Sequence, residues 1–185
     1  MFFSLGPGNA WRLLWGSGSV DGELLFACHC GPGNALIDDR VSARCDVPLD
    51  DGGEIAPAGS IEANHIAWGI VTNKPGWLTE PLLEKLNLRQ RAGVVVSGDT
   101  LLARKPDPAP LLHAATELGL SPAECIYIGD AERDVLAARA AGMRVYVAMF
   151  GYIPAQERPR EWPATGWLEG PEAVAQLIDA LPPRN

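Results

Sequence analysis

The stretch "CIYIGDAERDVLAARAAG", Cys125–Gly142, decides the fold. Its first five residues are mostly apolar and read as a buried strand that stops at Gly129-Asp130. The rest reads as a helix closed by Gly142. A short strand without polar alternation belongs in a parallel sheet covered on both faces. Asp130 and Asp134 then stand at the strand tip and the helix opening. A hard octahedral cation such as Mg²⁺ takes a few carboxylates there and retains several waters. The plainer alternative has Asp130 capping the helix and Asp134 paired with a neighbouring arginine.

The same alternation recurs on both sides of this stretch. "AWGIVT" (Ala67–Thr72) is a short apolar run with a polar tip, and "GWLTEPLLEKLNL" predicts a helix with Trp77, Leu82, Leu83 and Leu86 inward. "GVVVSGD" (Gly93–Asp99) is a second strand. "KPDPAPLLHAATELGL" places Asp107 as N-cap and Pro108 at the first helical position, with Leu111, Leu112, Ala115 and Leu118 as the apolar face. "CIYIGD" and "RVYVAMF" are the third and fourth strands, and "GPEAVAQLIDAL" (Gly170–Leu181) is a terminal helix. This order implies an α/β fold, a three-layer Rossmann-like parallel sheet with helices on both faces. Chemistry in such sheets lies beyond the carboxyl ends of the strands. Thr72-Asn73-Lys74, Ser97, Asp99 and Asp130 occupy those ends.

The ordered set of a strand ending in Thr72-Asn73, then Lys105-Pro-Asp-Pro, then Gly129-Asp130-x-x-x-Asp134 resembles motifs two, three and four of the haloacid dehalogenase-like (HAD) phosphatases. The resemblance covers about Ile61 to Leu181, roughly two thirds of the chain. "WGIVTNKP" and "GDAERDVLAARAAGM" resemble the phosphoglycolate phosphatase branch, and "FGYIPAQERPREWPATG" is similar to N-acetylmuramic acid 6-phosphate phosphatases. The resemblance implies a Mg²⁺-dependent phosphomonoester hydrolase acting on a small phosphorylated metabolite. Thr72 and Asn73 would bind the transferring phosphoryl group, and Lys105 would neutralise charge on it. Asp130 and Asp134 would serve the metal, Asp134 either in its outer shell or by orienting Lys105. Catalysis of this kind is mostly positioning and charge stabilisation. A receiver domain also uses Asp, Thr and Lys around Mg²⁺, but its phosphorylated Asp precedes the other two.

Residues 1–60 differ in character. Half of the 20 glycines fall there, turn formers dominate, and no helical or strand period is sustained. The family's first motif, Asp-x-Asp-Gly-Thr, carries the nucleophile and the general acid–base, and it is absent from the sequence. Two weak stand-ins exist. "SVDGELL" keeps Asp21-Gly22 but has Ser19 at the nucleophile's place, and "LLFACHCG" puts Cys28 there. A thiol at Cys30 is also a poor replacement for a carboxylate that must ligate a hard metal. About fifty residues separate these candidates from Thr72, too few for the helical cap domain of this branch. A sheet without its middle strand would expose unpaired backbone. Leu24–Cys28, or less favourably Trp11–Trp15, is therefore expected to supply a surrogate central strand. The second functional reading is a non-catalytic remnant, truncated or frame-shifted upstream of residue 61, that keeps phosphate and Mg²⁺ motifs.

Bulk properties narrow the partners. A net charge of −8 with no basic run argues against nucleic acid. No apolar run reaches the ~18 residues that span a bilayer. The apolar N-terminus lacks a basic flank and is broken by Gly6-Pro7-Gly8, so a signal peptide is not expected. Asp50, Asp51 and Glu54 lack the alternating ligands of a calcium loop. Cys28, Cys30, Cys45 and Cys125 show no metal spacing and read as thiols of a reducing cytoplasm.

Overall fold

A computed structural model describes residues 2–4, 11–15 and 66–180, the first two segments by their backbone alone. Its strands are β1 (Phe2–Ser4), β2 (Trp11–Trp15), β3 (Ile66–Val71), β4 (Val94–Val96), β5 (Cys125–Gly129), β6 (Arg144–Ala148) and β7 (Gly166–Leu168). The helices are α1 (Gly76–Lys85), α2 (Ala109–Glu117), α3 (Glu132–Ala140) and α4 (Pro171–Asp179). The sheet runs β4-β3-β2-β5-β6-β7 with all these neighbours parallel. β1 departs from the expected parallel pattern and pairs antiparallel with β5.

Side-chain alternation sorts the core into two layers. Ile66, Trp68 and Ile70 of β3 and Ile126 and Ile128 of β5 pack with Leu83 of α1 and with Val174 and Ile178 of α4. Cys125 and Tyr127 of β5 and Val145 and Val147 of β6 pack with Leu111, Ala114 and Ala115 of α2 and Val135, Ala137 and Ala138 of α3. The sheet is thus covered on both faces, which is why β5 is buried at every position.

Connection direction locates the functional end. The β3–β4 connection through α1 leads away from β2 on one side, and the β5–β6 connection through α3 leads away on the other. Such a reversal opens a crevice beyond the strand tips. β2 lies at the reversal, with Trp15 paired to both Ile70 and Ile128. Thr72 and Asp130 each follow that row by two residues, so they stand level on either side of β2. Of the two segments expected to supply this strand, Trp11–Trp15 occupies the place, and Leu24–Cys28 lies outside the described residues.

Helix ends follow the expectation more closely than the inward faces do. Gly119 and Gly142 end their helices at φ 68° and 74°, a left-handed turn that glycine adopts without a Cβ penalty. Asp107 caps α2 by accepting the Ala109 N–H at 2.8 Å, although the helix begins one residue later than expected. Trp77 is 62% exposed and Leu112 37% exposed, so neither is inward. α1 buries Leu83 as expected and Thr79 in addition, with Leu82 and Leu86 packed partly against the core.

Candidate active site

The strand tips that border the crevice are held by short hydrogen bonds, some local and some from other segments. The Thr72 hydroxyl accepts the Lys74 N–H at 2.8 Å and closes the turn after β3. Asn73 reaches across to the loop before α2: its Nδ2 donates to the Lys105 carbonyl at 2.9 Å and its Oδ1 accepts the Lys105 N–H at 3.0 Å. Asp99, after β4, accepts the Gly76 N–H at 2.8 Å and caps α1 from outside the helix. Gly98 is packed so closely that a Cβ there would lie 2.1 Å from the Asn73 carbonyl oxygen.

Lys105 lies at the centre. Its Nζ donates to the Val71 carbonyl at 2.9 Å and to the Tyr127 hydroxyl at 2.8 Å, and it pairs with Asp134 Oδ1 at 2.7 Å. An ammonium has three hydrogens, and three acceptors surround this one. Asp134 is occupied as well, since its Oδ2 accepts the Ala131 N–H at 3.2 Å at the start of α3. The Tyr127 hydroxyl lies 3.3 Å from the Val71 carbonyl and 3.4 Å from Asp134 Oδ1. Burial, reinforced by the Asp134 and Asp130 carboxylates, raises its pKa well above the ordinary phenol value, so it is a neutral hydroxyl. Asp134 is therefore paired with Lys105.

Asp130 is arranged differently. Its Oδ2 accepts the Tyr152 N–H at 2.9 Å from the turn after β6, not a donor of the following helix. Its Oδ1 is buried and has no hydrogen-bond partner among the described residues. Burial, and then the Asp134 carboxylate, raise the Asp130 pKa well above the carboxylate range. A buried carboxylate oxygen without a donor is costly unless it is protonated or meets a cation. Asp130 thus fits a hard cation such as Mg²⁺, whereas the oxygens of Asp134 already have donors. No group of three or more His, Cys, Asp or Glu residues gathers among the described residues. A cation at Asp130 would complete its shell with waters, carbonyl oxygens or a ligand, as Mg²⁺ commonly does. Ser19, Asp21 and Cys28 lie outside the described residues.

Residues 59–148 match the family of haloacid dehalogenase-like hydrolases. Over those residues, just under half of its length, the chain is similar to that family. A phosphoglycolate phosphatase from Xanthomonas campestris is 47% identical over 111 residues, 60% of this chain and 50% of that protein. An N-acetylmuramic acid 6-phosphate phosphatase from Pseudomonas aeruginosa is 35% identical over 144 residues, 76% of this chain and 63% of that protein. A crystal structure described as a predicted phosphoglycolate phosphatase from Haemophilus somnus superimposes with a TM-score of 0.61 at 23% identity, covering 67% of this chain and 53% of the other. That likeness supports the HAD fold. The chain spans about half to two thirds of the length of these curated relatives.

Asp99 was expected at a strand end, whereas Tyr127, Gly98 and the Gly151-Tyr152 turn take part in the site without an expectation from the sequence. Tyr127 carried a signal: a tyrosine inside an aliphatic strand needs a partner for its hydroxyl when buried. The others contribute backbone groups or a missing Cβ, which have no residue-type signature.

Proposed function

We propose that this chain binds a phosphate ester and a divalent cation at the tips of β3 and β5, and that the ester is a small anionic metabolite of the phosphoglycolate or N-acetylmuramate 6-phosphate type. The observation that carries this reading is Asp130, level with Thr72 across β2, whose Oδ1 is buried with no hydrogen-bond partner among the described residues. Bound there, Mg²⁺ supplies positive charge against the phosphoryl oxygens. Thr72 contacts the phosphoryl group through its hydroxyl. Asn73 acts one step removed, because its amide holds the Lys105 backbone. Lys105 contributes its charge from a fixed place. A phosphoryl oxygen receives one of its hydrogens only by displacing Val71, Tyr127 or Asp134. Asp134 positions Lys105 and does not ligate the cation.

Hydrolysis is the leading functional reading, and a non-catalytic remnant is the second. The absence of Asp-x-Asp-Gly-Thr from the sequence favours the second, and the surrounding motifs support the first. An assay separates them: release of phosphate from phosphoglycolate, N-acetylmuramate 6-phosphate and a chromogenic phosphate ester, with Mg²⁺, by the full chain and by Asp130→Asn. Mg²⁺-dependent turnover lost in the variant is the result expected of a hydrolase. Ester binding without turnover leaves the remnant. Turnover unaffected by Asp130→Asn sinks the site.

A further inference from the structure

The segment Phe150–Gly166 was singled out by its sequence, yet the proposed chemistry leaves it unused. It is anchored at both ends of its course. Met149 N–H donates to the Leu168 carbonyl at 2.8 Å, and Thr165 N–H donates to the Val145 carbonyl at 2.7 Å. Trp162 is buried in the core, and the Trp167 Nε1–H donates to the Pro159 carbonyl at 2.8 Å. The turn at its start is closed by Gly151 N–H to Ala148 O at 3.0 Å and Ile153 N–H to Gly151 O at 3.1 Å.

That turn lies directly against Asp130. The Tyr152 N–H holds Oδ2 at 2.9 Å. A Cβ on Gly151 would sit 2.4 Å from the Asp130 Cβ and 2.7 Å from Oδ2, so no side chain fits at 151 without displacing the carboxylate. The other oxygen, Oδ1, is buried with no partner among the described residues. We infer that the Gly151-Tyr152 turn is the positioning element of the cation site. It fixes one oxygen of Asp130 through a backbone donor and so dedicates the other to the cation. Outer-shell donors act on metal affinity in this way, by orienting the ligand atom. The inference rests on the reading of Asp130 as a cation ligand.

The test is a titration of the full chain with Mn²⁺ alone, followed by its electron paramagnetic resonance signal. Wild type binds, and Asp130→Asn does not. Gly151→Ala, which crowds the carboxylate, and Tyr152→Pro, which deletes the N–H, each weaken binding by about tenfold or more. Tyr152→Ala keeps the N–H and stays within about twofold of wild type. If wild type fails to bind, or Asp130→Asn binds equally well, the cation site itself is wrong and the inference falls with it. If Asp130→Asn loses the ion while Gly151→Ala and Tyr152→Pro retain it, the site stands and the turn has no such role. Equal losses in Tyr152→Ala and Tyr152→Pro would assign the effect to the ring and overturn the backbone account. Circular dichroism shows whether each variant folds. One folded variant of the pair suffices, and failure of both to fold marks the turn as a stability element, against the inference.

Discussion

Lys105 and Asp134 are 2% and 1% exposed, so their charges meet almost without water. Desolvating two ions costs several kcal/mol each, and only good geometry with further hydrogen bonds offsets it. Here Lys105 has three acceptors, and Asp134 adds the Ala131 N–H to its ion pair. Removing one partner leaves the other buried and uncompensated. Asp134→Ala is expected to lower the free energy of unfolding by ~3–5 kcal/mol in chemical denaturation, and adding Lys105→Met to recover much of that loss. A loss below ~1 kcal/mol would contradict the coupled pair. Thr72 and Asp130 were legible because a polar residue at the end of an apolar strand announces its own location. Of the partners of Lys105 only Asp134 was legible, as a residue that could orient it; Val71 lies 34 residues away and meets it only once the sheet has formed.

The turn between β3 and α1 shows how an element is set by what packs on it. Gly98 N–H donates to the Lys74 carbonyl at 2.7 Å, and the missing Cβ lets the two loops touch. Gly98→Ala drives a methyl group into the Asn73 backbone, which cannot rotate away. A cost of ~1–3 kcal/mol is expected, as for other overpacked sites. Thermal unfolding measures it, and an unchanged midpoint would show that the loops separate freely. At this scale β3, β4, β5 and β6 and the four helices were readable from short apolar runs bounded by Gly, Pro and capping residues. β7 was not: three residues carry no period, and its place depends on Tyr146 packing against Gly166. Trp77 and Leu112 misled because helical spacing marks a face without saying how wide the buried stripe is.

For the molecule as a whole, two half-sites meet across β2 and through Lys105, which contacts Val71 on one side and Tyr127 and Asp134 on the other. β3 brings Thr72, β5 brings Asp130, and Trp15 registers both to one row. The alternation of strands and helices made the layered sheet and its active end legible in the sequence. The strand joining the halves was harder to read, because "WRLLW" is short and lies among turn formers. No helix among the described residues is long and apolar enough to cross a membrane. The central claim is that Thr72 and Asp130 form one phosphate-and-cation site, whether or not turnover follows. Calorimetric titration of the full chain with inorganic phosphate, with and without Mg²⁺, tests it most directly. Binding that requires Mg²⁺ and is lost in both Thr72→Val and Asp130→Asn is the predicted result; Mg²⁺-independent binding, or binding that survives either substitution, would contradict it.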